Sequence, residues 1–190
     1  SDKKNHATMI LRASRKNEKL VTLDGKSHTL PGDDIVIEDG KGRLIDLCGI
    51  MGAKNSAIKD TSKTVILFLQ TYDPMHIRRT MMNLAHRTEA GGLFEKGIDP
   101  ELVLPAFTKG TQLITDLTGG NVASKLYDIY PKPYKPSLVS VSRPKTDAYI
   151  GTHLSDKEIS EILMPLGFQT KVTKDVITVS VPSFRRDVTI

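Results

Sequence analysis

The chain has 190 residues, 38% of them hydrophobic and 26% charged, with a formal net charge of +5. That composition suits a globular protein with a sizeable core, and no apolar run approaches the ~18 residues a membrane-crossing helix needs. The single cysteine, Cys48, excludes an internal disulfide and a multi-cysteine zinc site and points to a reducing compartment. With aromatic content at 5%, no tryptophan and no basic stripe, composition alone gives no nucleic-acid surface.

The first third reads as a β meander. "MILRAS" and "KLVTL" carry β-favouring apolar residues, and Asp24-Gly25 suits the tight turn of a hairpin. "IVIED" and "RLIDLCGIMG" continue the meander to a glycine corner. "KTVILFLQTY", Lys63 to Tyr72, is an apolar run rich in β-formers and is expected to be a central strand buried on both faces.

Two helices are expected next. Asp73 caps the first, with Pro74 at its first position and Ile77, Met81, Leu84 and Ala85 on one face. The second starts near Asp99-Pro100, points Leu102, Ala106, Leu113 and Leu117 inward and stops at Gly119-Gly120, with Pro105 kinking it or delaying its start. Between them "HRTEAGGLFEKGIDP" holds three glycines, a density that implies backbone passing close to something. Cys48, Met81, Met82 and Met164 are expected in the core, and His76 and His86 on a solvated face. Arg78, Arg79 and Arg87 suit either a solvated face or tRNA phosphates.

Three prolines between Tyr130 and Ser137 suit neither a helix interior nor a central strand, so this stretch is expected to be a linker. Beyond it "SLVSVS" reads as a strand. Ser155 and Glu158 form a capping box before a helix with Ile159, Ile162, Leu163 and Leu166 buried, and "GFQTKV" and "VITVSVP" form a hairpin. The fold class expected is α+β: a mixed-sheet module with packed helices over residues 1–134 and a smaller α/β module over 135–190. The last residues complete no element, so the chain is expected to be a piece of a longer protein. No Walker loop, GxGxxG or HExxH motif is present.

Four stretches, "EKLVTLDGK", "LCGIMGAKNSAI", "YDPMHIRRT…HRTEAGGLFEKGIDPEL" and "ILMPLGF…VSVPSFRRD", resemble the beta subunit of bacterial phenylalanyl-tRNA synthetase in that family's order. The resemblance spans nearly the whole chain: residues 1–134 are similar to the family's editing module, 135–190 to most of the module after it. It implies a cytoplasmic, ATP-dependent, heterotetrameric ligase. The alpha subunit would charge tRNA(Phe) with phenylalanine using ATP and magnesium, and this module would hydrolyse mischarged tyrosyl-tRNA. A pocket shaped for phenylalanine rejects an added hydroxyl only partly, so a separate hydrolytic sieve has a physical reason.

The residues this resemblance assigns to the editing pocket are Gly52, Thr88 and Ala90, with Phe68 standing where the family carries a glutamate that meets the tyrosine hydroxyl. The family's editing histidine belongs to a "PLHAFD" motif upstream, and His6 lies too far along the chain to match it. Ala53 replaces the corner's second glycine. These departures imply an altered or impaired pocket, and an isolated fragment without hydrolytic activity or bound cofactor. Asp187 of "VPSFRRDV" corresponds to a ligand of a magnesium site shared with the alpha subunit, its other ligands lying beyond this chain. Alone, Asp187 is expected to pair with Arg185 or Arg186. The alternative function is a non-catalytic scaffold or tRNA-binding module for assembling the heteromer.

Overall fold

The computed structural model describes residues 8–188, so His6 lies outside the described residues. Two compact units are distinguished: residues up to Ile98 together with Val103–Thr118, and Asp99–Leu102 together with residues from Gly119 onward.

In the first unit β1 (Met9–Ala13), β4 (Ile35–Asp39), β5 (Leu44–Leu47) and β6 (Met51–Gly52) form a four-stranded sheet in the order β1-β4-β5-β6. A hairpin of β2 (Lys19–Val21) and β3 (Ser27–Thr29) turns at Asp24-Gly25, Gly25 taking φ +84° as this turn demands. Strand alternation explains the core: Leu20, Leu30, Val36 and Leu47 are buried, with Ile77 and Met81 of α1 (Pro74–Asn83) over them. Asp73 caps α1 by accepting the His76 N–H at 2.9 Å. Buried Asp34 ties strand to helix, accepting Ser14 Oγ at 2.8 Å and Thr80 Oγ1 at 2.7 Å.

Three expectations for this unit fail. Lys63–Tyr72 forms no strand; Val65, Ile66 and Phe68 are exposed, and hydrophobicity without a ladder partner does not make a sheet. With no crossover strand there is no parallel pairing: every ladder among the described residues is antiparallel, where a mixed sheet was expected. Helix α3 (Val103–Thr118), its start delayed by a 3-10 turn at Pro100–Leu102, buries no residue fully. Leu102, Leu113 and Leu117 are exposed, and the half-covered face is Val103, Phe107, Gly110 and Ile114.

In the second unit β7 (Leu138–Ser142), β9 (Val176–Ser180) and β8 (Gln169–Val172) form a separate antiparallel sheet in the order β7-β9-β8. Between them lie α4 (Arg143–Ile150), which the sequence reading missed, and α5 (Asp156–Leu163) with its expected capping box. The signals for α4 were Pro144 in its first turn and Gly151 at φ +80° past its end. Ile159 is buried, whereas Ile162, Leu166 and Met164, expected inside, are exposed, as is Met82 in the first unit.

Candidate functional site

The corner that carries Gly52 is built by backbone constraints. Ile50 N donates to Leu47 O at 3.1 Å to close the turn, and Gly49 sits at φ +69°. A Cβ on Gly49 would stand 2.8 Å from Ile77 Cδ1 and 3.0 Å from Tyr72, so conformation and space both require glycine. Gly52 pairs across the ladder with Asp46 and accepts the Leu23 N–H at 3.0 Å. Leu23 Cδ1 is 3.3 Å from where a Gly52 Cβ would be.

Thr88 reaches this corner from the far end of α1. That helix closes with Ala85 N donating to Met82 O at 3.2 Å and His86 N to Met81 O at 3.0 Å, with Ala85 at φ +47°. Thr88 then caps α2 (Glu89–Phe94): its hydroxyl accepts Gly91 N–H and donates to Ile50 O, both at 3.0 Å. One hydroxyl therefore pins the start of α2 to the turn that leads into Gly52. The glycine density is explained here as well: a Cβ on Gly91 would meet Met81 Sδ at 2.3 Å, and Gly97 takes φ +83°. Ala90 is exposed on α2. Phe68 is 41% exposed on the irregular Lys63–Tyr72 segment, and it is the neighbouring Leu67 that lies 3.4 Å from the Cβ position of Gly110 in α3.

Beside the corner lies a group that sequence reading passed over. Burial raises the Asp46 carboxyl's pKa, a hydrogen bond with Cys48 opposing it. The Cys48 thiol and the Tyr72 phenol are likewise pushed up, burial first and the neighbouring acidic groups after it. Tyr72 donates to Gln70 Oε1 at 2.7 Å and packs edge-on against Phe94. Asp46 Oδ1 lies 3.8 Å from the Gly52 Cβ position, so a carboxyl biased toward its neutral form stands next to the expected pocket residue.

His86, read from sequence as solvated, is buried against His28, also buried. Alternation in "KSHTL" puts His28 on the face of Leu30, and that pattern was the available signal. His86 was invisible because its burial depends on where the chain turns after α1. Of the arginines, Arg79 pairs with Asp33 at 2.9 Å and Arg87 with Glu95 at 2.6 Å. An open cleft of about 720 Å³ lies elsewhere in the unit, lined by residues including Lys19, Arg43, Lys54 and Asn55; none of Gly52, Phe68, Thr88 and Ala90 lines it.

In the second unit exposed Asp187 accepts Arg185 Nε and Nη2, both at 2.8 Å, and this guanidinium holds its pKa at about 2. Among the described residues no group of three or more His, Cys, Asp or Glu is arranged to hold a metal ion. A single carboxylate already engaged by arginine does not fit a magnesium site on its own.

The B3/4 domain family matches residues 1–119, and the tRNA synthetase B5 domain family matches residues 139–190. The phenylalanine-tRNA ligase beta subunit of Carboxydothermus hydrogenoformans is 35% identical over 189 residues, covering 100% of this chain and 24% of that protein. That of Geobacter sulfurreducens is 36% identical over 183 residues, covering 96% of this chain and 23% of that protein. The chain thus spans about a quarter of the length of the curated relatives it matches. Among solved structures, an N-terminal fragment of the Pyrococcus horikoshii phenylalanyl-tRNA synthetase beta subunit superposes with a TM-score of 0.44 at 15% identity, over 96% of this chain and 52% of that one. No helix among the described residues is long and apolar enough to cross a membrane.

Proposed function

Because the chain belongs to the B3/4 domain family and carries a B5 domain after it, both homologous to bacterial phenylalanine-tRNA ligase beta subunits, we propose that its first module is the editing module of such a ligase. In this reading Gly52, Phe68, Thr88 and Ala90 line a pocket for the aminoacyl end of mischarged tRNA(Phe), in the cytoplasm, and the alpha subunit is the partner that uses ATP and magnesium. Asp187 would join a magnesium site only with ligands from outside this chain. The proline-rich Tyr130–Ser137 stretch would join a module of residues 1–134 to one of 135–190.

The observation that carries the reading is the double hydrogen bond of the Thr88 hydroxyl to Gly91 N and Ile50 O, which fixes the family-matched helix start against the family-matched glycine corner. These residues supply shape rather than acid or base: Gly52 brings backbone up against Leu23, whose Cδ1 is 3.3 Å from the Gly52 Cβ position, Ala90 adds a single methyl, and Phe68 is the apolar side chain of the set. A phenol hydroxyl left unpaired there costs roughly 1 to 3 kcal/mol, so discrimination for tyrosine is weakened relative to a glutamate-bearing pocket.

Deacylation of tyrosyl-tRNA(Phe) by the full alpha-beta heteromer is the test. Phe68→Glu is expected to raise the rate. A native enzyme that already deacylates efficiently, and that Phe68→Glu makes worse, overturns the weakened-pocket reading and turns attention to Asp46. The apolar, half-open setting of Phe68 favours one alternative, a non-catalytic assembly module. It predicts a heteromer that charges phenylalanine normally and deacylates tyrosyl-tRNA neither as native enzyme nor as Phe68→Glu.

A further inference from the structure

Two histidines of the first unit are buried against each other, and neither has a role in the function above. His28, 8% exposed, lies on β3 opposite Leu20, and His86, 3% exposed, follows the C-terminal closure of α1. Their ring centroids are 4.6 Å apart with planes tilted by 48°. Nε2 of each ring is buried without a hydrogen-bond partner, which is uncommon enough in folded proteins to call for an explanation. The carboxylate facing them is Asp24, on the turn of the hairpin that carries His28, with Oδ2 4.0 Å from His86 Nε2. Asp24 is already engaged, accepting Thr22 Oγ1 at 2.5 Å and lying 3.2 Å from Lys26 Nζ. On the helical side Arg87, next to His86 in the chain, pairs with Glu95 at 2.6 Å.

We propose that His28 and His86 form a proton-operated clasp that holds the β2–β3 hairpin against the connection between α1 and α2 while both rings are neutral, and loosens it when acid charges them. One proton can be accommodated beside Asp24. A second would set two cations at ring-contact distance in a buried site whose facing carboxylate, Asp24, is shared with Lys26, and like charges so placed repel strongly. A transition metal is the other ligand that two imidazoles would take. The lack of any three-residue arrangement suited to a metal among the described residues leaves the proton as the ligand that fits.

The clasp reaches the candidate site through two residues of chain. His86 N closes α1, Ala85 before it is held at φ +47°, a conformation unfavourable to an L-residue, and Thr88 after it is the residue that pins α2 to Ile50. Loosening the imidazoles therefore frees the segment that positions Thr88.

Burial, and after it the charge of His86, depresses the His28 pKa below its ordinary value of 6.5. The unfolded chain then takes up protons before the folded one does. Stability is full above about pH 6.5 and declines below it. Asp46, whose pKa is raised, contributes the opposite slope and cannot produce this decline.

The test is thermal melting of this chain from pH 7.5 to 5.0, with histidine ring-proton titration by NMR. The native chain is expected to lose several degrees of Tm over this range, each tenfold fall in the folding constant reading as ~3–5 °C for a protein of this size. His28 is expected to titrate below its ordinary value of 6.5. His28→Leu should keep its Tm at pH 7.5 and lose most of the acid decline, because the buried group that takes up the proton is gone; if that variant does not fold, the titration of His28 in the native chain decides. His28 titrating near the ordinary value of 6.5, or an undiminished acid decline in His28→Leu, would overturn the clasp. A Tm at pH 7.5 raised by one equivalent of zinc would overturn it too, by assigning the pair to a metal.

Discussion

Two parts of the first unit are about equally apolar in sequence and opposite in fate. Leu20, Leu30, Val36 and Leu47 of the strand region are buried beneath Ile77 and Met81, while Val65, Ile66 and Phe68, and Leu113 and Leu117 of α3, face outward. What separates them is partnership. The hairpin strands β2 and β3 alternate exposed and buried residues and β4 buries Val36 and Ile37 side by side, but each strand has an antiparallel neighbour that fixes it, so its apolar residues have a fixed address. Lys63–Tyr72 has no ladder on either side, so only single side chains of it are placed, Leu67 near Gly110 and Tyr72 against Phe94. Hydrophobic content measures the drive to be buried; the hydrogen-bonded neighbour decides where burial happens.

The largest expected effect tests this contrast with one chemical change in two settings. Leu47, fully buried in β5, and Leu113, 52% exposed on α3, each lose the same atoms on substitution by alanine. Leu47→Ala leaves a cavity under the sheet and is expected to cost about 3 to 5 kcal/mol. Leu113→Ala is expected to stay within about 0.5 kcal/mol, alanine being the better helix former. Urea denaturation of both variants checks this; a cost at Leu113 that matches Leu47 would mean that α3 is covered in solution by something the chain itself supplies.

The same contrast marks how far the sequence could be read. The Asp24-Gly25 hairpin, the Asp73 cap of α1 and the Ser155–Glu158 capping box were all legible, because each is decided within a few residues, whereas the expected meander fails at its start, β1 skipping the β2–β3 hairpin to pair with β4. The strand at Lys63–Tyr72 was misread because membership of a sheet is decided by residues far away. Of the candidate site, Gly52 and Thr88 come forward from family likeness as expectations, and the fold adds the link from Thr88 to Ile50 O at the corner of Gly52. Asp46, His28 and His86 were missed for one reason: each is an ordinary polar residue until burial changes its chemistry.

A middle-sized effect should appear within α2, where adjacent glycines sit in opposite settings. A methyl on Gly91 would stand 2.3 Å from Met81 Sδ, whereas one on Gly92 meets nothing within 4 Å. Gly91→Ala must displace a buried methionine and is expected to destabilise by about 1 to 2 kcal/mol, the flexible thioether limiting the cost. Gly92→Ala is expected to stabilise by about 0.5 to 1 kcal/mol through lower entropy of the unfolded chain. Opposite signs from one methyl would show that the glycine pair is half packing requirement and half incidental; like signs would mean that Met81 has another resting place.

The smallest effect concerns two carboxylates that arginines hold at about the same pKa. Glu18 and Asp187 are each lowered to about 2, chiefly by hydrogen bonds from Arg12 and Arg185 respectively. Their surroundings differ. Glu18 is half-buried in a cluster where Arg12 also binds Glu38, with contacts of 2.7 Å and 2.5 Å, while Asp187 is exposed beside a single arginine. A carboxylate whose pKa is lowered on folding adds stability above its unfolded value, 4.5 for Glu18, and that stability is lost as pH falls toward about 2. Solvent screens the Asp187 pair, so Asp187→Asn is expected to leave the acid limb of the urea midpoint unchanged. Glu18→Gln should lower the midpoint at pH 6 and flatten its decline between pH 4.5 and 2, because the group that titrates there is gone. If Asp187→Asn flattened the limb as much as Glu18→Gln, an exposed pair would be contributing as much as a covered one, and the distinction between the two regions would not extend to charge.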